Sequence, residues 1–404
     1  MKPTFPVFRR MLLTVAVAVL VMTPHSWGAS KYKVLHQFGA GKDGPGSPSG
    51  PLILDGNGKF FGNTYSMTFE LVPQGNGKWK EETLRSFDGA DCPPWGAPIL
   101  GTAGDLYGTS PGGTNCHGEV FELNHGLNGW SFGVIYSDAA GPGLLTDKAG
   151  NLYGDIGPGD YYGAGAIGKL SGTSKGWVYT QLYSYCGPPG CPDGDGEPAP
   201  PVWDGKGNLF GTTTDGGISQ PACCTSFGCG VIFEMTPNGD GTSTYHVLHR
   251  FASYATDGQT PYGGLVMDAS GNFYGTTEYG GSKGNGTVFK LSSVSGHWKK
   301  TVVYDFPDWH NGALPNSTLV LDKAGNLYGI GGGGNQGCGP YTCGVVFKLA
   351  PQKNGQWKYS PVHKFSGPDG NFPVGVIVDD KGNIFGTTSN GGTYNSGVAF
   401  EITP

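Results

Sequence analysis

Charge is what this chain has least of. Only 14% of its 404 residues are Asp, Glu, Lys or Arg, against about 25% in an ordinary soluble domain. The balance is slightly acidic, with 31 carboxylates against 25 basic residues. A nucleic-acid-binding face needs a basic excess, so that class of partner is excluded. Long apolar runs are missing too. The run Met11–Met22 has 12 residues, short of the ~18 that a transmembrane helix needs. It follows Lys2, Arg9 and Arg10 and precedes Ser26-Trp27-Gly28-Ala29, the order of a secretory signal. We therefore assign residues 1–28 as a signal peptide and 29–404 as the mature chain. The expected destination is the extracellular space, the cell surface or the periplasm, with no membrane span after cleavage. Catalytic motifs are absent as well: there is no G-x-S-x-G, H-E-x-x-H or Walker loop. The glycine run Gly331–Gly334 lies between two strand-like runs with no helix after it, which excludes a phosphate cradle.

Glycine is what the chain has in excess. There are 75 glycines and 30 prolines, a level that signals disorder when it lacks a period. Here it has one. Aromatic residues reach 12%, enough to build a core. The unit is clearest from Gly264 to Phe306, where four runs rich in β-branched and aromatic residues alternate with turn residues, the pattern of short strands. The second run ends in N-[LF]-[YF]-G or a near variant, with its glycine at Gly62, Gly108, Gly154, Gly211, Gly275, Gly329 and Gly386. The third run resembles V-F-E-L and follows each of these glycines. The fourth follows only six of them: after Val398–Ile402 the sequence ends, whereas Lys31–Phe38 matches a fourth run with nothing before it.

An orphan strand at one end and a missing strand at the other complete each other if the array is a ring. We therefore expect an all-β fold: a seven-bladed β-propeller of four-stranded blades, spanning 29–404, its last blade closed by the N-terminal strand. Closure also removes the open edges of a linear array. A β-solenoid is the rival, but spacings from 46 residues (Gly62 to Gly108) to 64 (Gly211 to Gly275) are too long for one coil.

The nine cysteines suit an oxidising compartment. Cys186 and Cys191, Cys224 and Cys229, and Cys338 and Cys343 share a C-x4-C spacing inside Gly/Pro-rich loops. Disulfides within these pairs are expected, with Cys92–Cys116 as a longer one and Cys223 left over. Zinc is disfavoured because it needs a tetrahedral set combining such a pair with further Cys or His ligands, and because a reducing cell favours it. With strands a to d counted from the inside out, the a–b turn reads D-x-x-G-N at Asp147, Asp204, Asp268, Asp322 and Asp379. One carboxylate per turn is too few for calcium, so this Asp is expected to hold its turn by bonding backbone N–H groups.

The motifs G-N-F-Y-G-T-T-E-Y-G-G, G-N-L-F-G-T-T-T-D-G-G and G-N-I-F-G-T-T-S-N-G-G, each followed by a V-F-E-L-like run, resemble the Gloeo/Verruco tandem-repeat family of bacterial exported proteins. The resemblance covers nearly the whole mature chain. It departs at G-K-F-F-G-N-T in the first unit and G-N-L-Y-G-D in the third, where irregular blades are expected. It brings no catalytic residues with it.

The a–b and c–d turns are uniform, whereas the d–a and b–c loops vary and hold every cysteine. Variable loops on a rigid scaffold are where binding resides, so that face is the candidate. Its ligand-binding candidates are Trp95, Tyr161, Tyr162, Tyr254, Tyr262, Glu278, Tyr279, Trp309 and His310. Rings interleaved with carboxylates and amides suit a carbohydrate or a peptide. His36, His249 and His363 share one strand-d position with Arg85, Tyr136, Tyr183 and Tyr304, and read as part of the repeat. A [DN]-G-x-x-P motif before strand a brings Asp43, Asp195, Asp257 and Asp369. These either ring the channel mouth, where calcium would relieve their repulsion, or fold their own loops as Asx-turns; the repeated Gly and Pro favour the second. The function expected is an exported, monomeric binding or scaffold module with an extracellular glycan or protein ligand. The alternative is a propeller enzyme, a polysaccharide lyase or a lactone or glycoside hydrolase, acting at the channel mouth.

Overall fold

The N-[LF]-[YF]-G and V-F-E-L runs become the two middle strands of each blade, and their composition explains why. In the computed structural model, strand Phe273–Thr277 is buried at every residue and strand Thr287–Val294 at four of its first five. Both faces of these strands are covered by neighbouring blades, so they read as continuous apolar runs. Strand d alternates between half-buried and exposed, as in His297–Asp305. The structure describes residues 30–404 apart from 41–45, 88–91, 114–115, 139, 159–164, 187–189, 197–198, 218–227, 239–240, 253, 335 and 339–340. The expected signal peptide lies outside these residues.

Seven four-stranded antiparallel sheets form, each in the order a-b-c-d. Blade 1 runs from Ile53–Leu54 to Trp79–Ser86, blade 2 from Trp95–Leu100 to Gly129–Ser137, and blade 3 from Ala140–Thr146 to Gly176–Ser184. Blade 4 runs from Val202–Trp203 to Ser243–Arg250, blade 5 from Val266–Met267 to His297–Asp305, and blade 6 from Val320–Leu321 to Trp357–Lys364. Blade 7 combines Asn371–Val378, Ile384–Asn390 and Val398–Thr403 with the N-terminal strand Lys31–Gln37 as its strand d. Lys31 lies opposite Thr403 and Gln37 opposite Val398, so the ring closes by the pairing of first and last strands. The fold is a seven-bladed β-propeller.

Seven apolar clusters hold it together, and each one straddles a seam between adjacent blades. Leu35, Phe38 and Phe385 of blade 7 pack on Leu52, Phe60 and Phe69 of blade 1; Phe210 and Phe251 of blade 4 pack on Leu265, Phe273 and Phe289 of blade 5. The other five seams are built alike. The repeat glycine serves this packing. A Cβ on Gly275 would lie 2.6 Å from Phe289 Cζ, the ring that V-F-E-L lays over it. Blade 3 has Gly168 in place of that phenylalanine, and Tyr179 fills the space from strand d.

The a–b turns follow the sequence reading. Asp268 Oδ1 accepts from Ser270 N and Asn272 N, and its Oδ2 accepts from Asn272 Nδ2 and Tyr274 Oη. Asp147 and Asp322 repeat all four bonds. These donors hold the three carboxyls below their ordinary pKa against the opposing effect of burial, which is the larger single influence. Disulfides Cys186–Cys191 and Cys338–Cys343 are formed. Cys92 and Cys229 are also disulfide-bonded, while Cys223 and Cys224 and the Cys116 side chain lie outside the description.

Candidate functional site

The chain just before and along each strand a converges on the axis, so the innermost residues of all seven blades line one central cavity of about 390 Å³. Pro51, Trp95, Pro142, Pro200, Tyr262, Ser317 and Val374 represent the seven blades in order. A clasp built from the G-T-T motif fixes this lining. Thr387 Oγ1 of blade 7 donates to Gly50 O of blade 1 at 2.8 Å, and Thr212 and Thr276 donate to Gly263 O and Ser317 O of the next blade at 3.4 Å. Asn63 stands in for threonine in blade 1 and donates to Gly96 O. Each such bond contributes about 1 kcal/mol and ties a mouth segment to the preceding blade. The second threonine faces its own blade: Thr213, Thr277 and Thr388 accept from the first N–H of strand c.

Electrically the cavity is quiet. Among the described residues its lining includes no carboxylate, imidazole, ammonium or guanidinium group, and Tyr262 is its one titratable side chain. Polar groups collect on blade 6, as Asn316, Ser317 and Thr318, with Ser49 on blade 1. The rest is proline, glycine and aliphatic surface with the rings of Trp95 and Tyr262. This arrangement suits an uncharged ligand with apolar surface.

Of the residues singled out by sequence, Trp95 and Tyr262 line this cavity. The other described ones sit in the surrounding loops. Backbone bridges join the d–a loop to the b–c loop, Asp195 to Asp215 and Gln259 to Tyr279, so the two variable loop sets share one face. Tyr254 bonds Gly284 O across these loops. Glu278 is half-buried, and burial raises its pKa against the lowering effect of its bond to Tyr279. Trp309 and His310 are exposed on a 3-10 turn capped by Asp308, which accepts from His310 N at 2.8 Å. Tyr161, Tyr162 and Asp43 lie outside the described residues.

The described loop carboxylates are held within their loops or against strand d. Asp257 lies 2.9 Å from His249 Nε2 and 2.6 Å from Lys300 Nζ, and it accepts from Ala252 N. Asp369 lies 2.9 Å from His363 Nε2 and accepts from Ser366 N and Oγ. Asp195 accepts from Gly196 N, and burial pushes its pKa up. None of the three is among the residues lining the cavity. Cys186, Cys191 and Asp195 bring their ligating atoms within 4.8 Å of one another, but the disulfide occupies both sulfurs.

The strand-d histidines have a role that sequence comparison alone did not reveal. Every blade carries two residues four apart on strand d, and the second of one blade meets the first of the next, so that the pairs form an outer rim. His36 Nε2 lies 2.5 Å from Glu81, Arg85 sits 4.6 Å over Phe132, and His249 reaches Lys300 through Asp257. Ring stacks join Tyr136 to Tyr179, Tyr183 to Tyr245, Tyr304 to Tyr359 and His363 to Tyr32, with centroids 4.8, 3.9, 5.0 and 4.0 Å apart. A β-bulge makes this possible. In all seven blades the c–d register slips by one residue between the two positions, so residues four apart face opposite sides of the sheet. The spacing of four was the available signal.

Comparison with known proteins gives the same architecture. No curated protein matches the chain. Virginiamycin B lyase from Staphylococcus aureus, an inactive variant with quinupristin, is 13% identical over 93% of this chain and 99% of its own, with a TM-score of 0.57. A fungal alcohol oxidase in complex with copper is 14% identical over 93% of this chain and 77% of its own, with a TM-score of 0.56. An ulvan lyase of polysaccharide lyase family 25 is 10% identical over 89% and 94%, with a TM-score of 0.53. At such identity these likenesses speak for the fold alone. The Gloeobacter/Verrucomicrobia repeat matches residues 198–404, just over half of the sequence, and the chain belongs to that repeat family.

Proposed function

We propose that this protein is an exported binding or scaffold module that engages an uncharged extracellular ligand at the mouth of its central cavity. The loop face around blades 5 and 6 serves as the surrounding contact surface. The observation that carries this reading is the lining itself: seven blades deliver apolar surface, two aromatic rings and one polar arc, with no ionised group among the described residues. Such a lining holds a ligand by burial and a few hydrogen bonds. It favours a peptide bearing an apolar side chain, or a neutral sugar stacked on a ring, over an acidic glycan. The disulfides support export, since such bonds persist in oxidising compartments.

The test is selection from a displayed peptide library and binding to a glycan array, each read on wild type and on Ala97→Phe with Val374→Phe, which narrows the cavity. Ligands recovered on wild type should lose at least tenfold in affinity on the filled variant. Equal binding to both proteins would remove the cavity from the account.

A further inference from the structure

The strand-d register fixes one more position in each blade, two residues before the first rim residue. It holds Trp79, Trp130, Trp177, Ser243, Trp298, Trp357 and Ser30 in blades 1 to 7. Where it is tryptophan, the indole closes the seam to the preceding blade. Trp130 packs on Phe61 at 6.1 Å, Trp177 on Tyr107 at 5.6 Å, Trp298 on Phe210 at 5.3 Å and Trp357 on Tyr274 at 5.6 Å. Trp79 joins the cluster containing Phe60 and Phe385. Blade 4, with Ser243, has its indole supplied from strand a instead, where Trp203 lies 5.0 Å from Tyr153.

The seam between blades 6 and 7 has neither. Ser30 stands at the strand-d position, and Val378 stands where blade 4 has Trp203. Among the described residues this is the seam without an indole, and there a groove of about 590 Å³ opens. Val362, Ile384 and Ile402 form its apolar wall, and Lys348 and Lys358 bring positive charge. Lys348 lies 5.3 Å over the Tyr328 ring, the counterpart of Tyr274 beneath Trp357. Asn326 of the a–b turn and Pro404 at the end of strand c place the groove on the uniform side of the ring, away from the variable loops.

We propose that this groove is a docking site for a tryptophan side chain carried on an acidic segment of a partner protein. The shape argument comes from the molecule itself, since the six other seams close the corresponding gap with an indole. The charge argument comes from the exposed Lys358 on the groove wall, which a carboxylate arriving beside the indole meets, with the buried Lys348, already facing Asp322, adding positive potential behind it. The volume exceeds that of one indole and leaves room for the flanking residues.

The experiment is calorimetric titration of the full chain with a capped tripeptide of aspartate, tryptophan and aspartate. Wild type should give saturable binding. Ser30→Trp should weaken it at least tenfold while raising Tm by about 2–4 °C, because the chain's own indole then fills the groove. Lys358→Glu should weaken binding about fivefold with Tm unchanged. No saturable heat at millimolar tripeptide overturns the proposal, as does equal affinity for the alanine-centred tripeptide or for Ser30→Trp. A Ser30→Trp protein with an unraised Tm overturns the indole-shaped gap. Free N-acetyltryptophan binding as tightly as the tripeptide overturns a partner protein as the occupant.

Discussion

Replacing Asp257 with asparagine tests the rim most severely. Asp257 bridges blades 4 and 5 by facing His249 at 2.9 Å and Lys300 at 2.6 Å. These partners outweigh its burial, the largest single influence, and bring its carboxyl from the ordinary 3.8 to about 2. A difference of that size corresponds to about 2 kcal/mol. Because the folded-state value is the lower one, the contribution is present in full above about pH 4 and is lost as the pH falls towards 2. Lys300 responds in the opposite sense. Its side chain is 2% exposed, and burial lowers its pKa more than Asp257 raises it, so the pair as a whole contributes less than the aspartate side alone implies. Breaking the pair leaves a buried ammonium uncompensated, which costs about 3–5 kcal/mol. Asp257→Asn should therefore lose about 3 kcal/mol at pH 7 in urea denaturation, and Lys300→Met in the same chain should restore most of it. Between pH 5 and pH 2 the wild type should lose about 2 kcal/mol more than the variant. A loss below about 1 kcal/mol at pH 7, or equal acid sensitivity of both proteins, would refute this reasoning.

Other outcomes follow from single contacts. Gly275→Ala should cost about 1–3 kcal/mol by driving a methyl into the Phe289 ring, whereas Gly56→Ala, with nothing within 4 Å, should be close to neutral; similar melts for both would contradict the packing account. Asp268→Ala removes the acceptor for Ser270 N, Asn272 and Tyr274 Oη and should cost about 1–3 kcal/mol, read as a shift in the urea midpoint. Non-reducing peptide mapping should return Cys186–Cys191 and Cys338–Cys343 as linked peptides, with Cys92 and Cys229 also linked; free thiols at these positions in exported protein would contradict it.

The number of blades and the way the ring closes were legible because they depend on counting. Seven glycine-ended runs, one unpaired first strand and one missing last strand leave little else to build. The D-x-x-G-N turn was legible because its bonds are local, between residues two to six apart. The rim was not, because its partners are 43 or more residues apart in sequence, as with Tyr136 and Tyr179 or Tyr183 and Tyr245, and a bulge decides which way each side chain faces. The site was legible only in part. Trp95 and Tyr262 were found as aromatics in variable loops, but the cavity's character comes from prolines, glycines and short aliphatic residues that carry no chemical signal one at a time. Asp257 and Asp369 drew notice as a repeated acid before strand a, yet their direction is set by strand-d histidines that sequence shows only as a shared position.

Closure of the ring by its two ends underlies every site described, and one crosslink tests it directly. Lys33 lies opposite Glu401 in the last blade. A chain carrying Lys33→Cys and Glu401→Cys should form an additional intramolecular disulfide under mild oxidation. The link should be recovered as a peptide joining the first and last strands, and the oxidised chain should keep the monomeric hydrodynamic radius of the wild type. The pair Lys33→Cys with Val398→Cys, three residues out of register, should not form it. No link between the two introduced thiols of the in-register pair, or a link found only between two chains, would contradict the closed propeller.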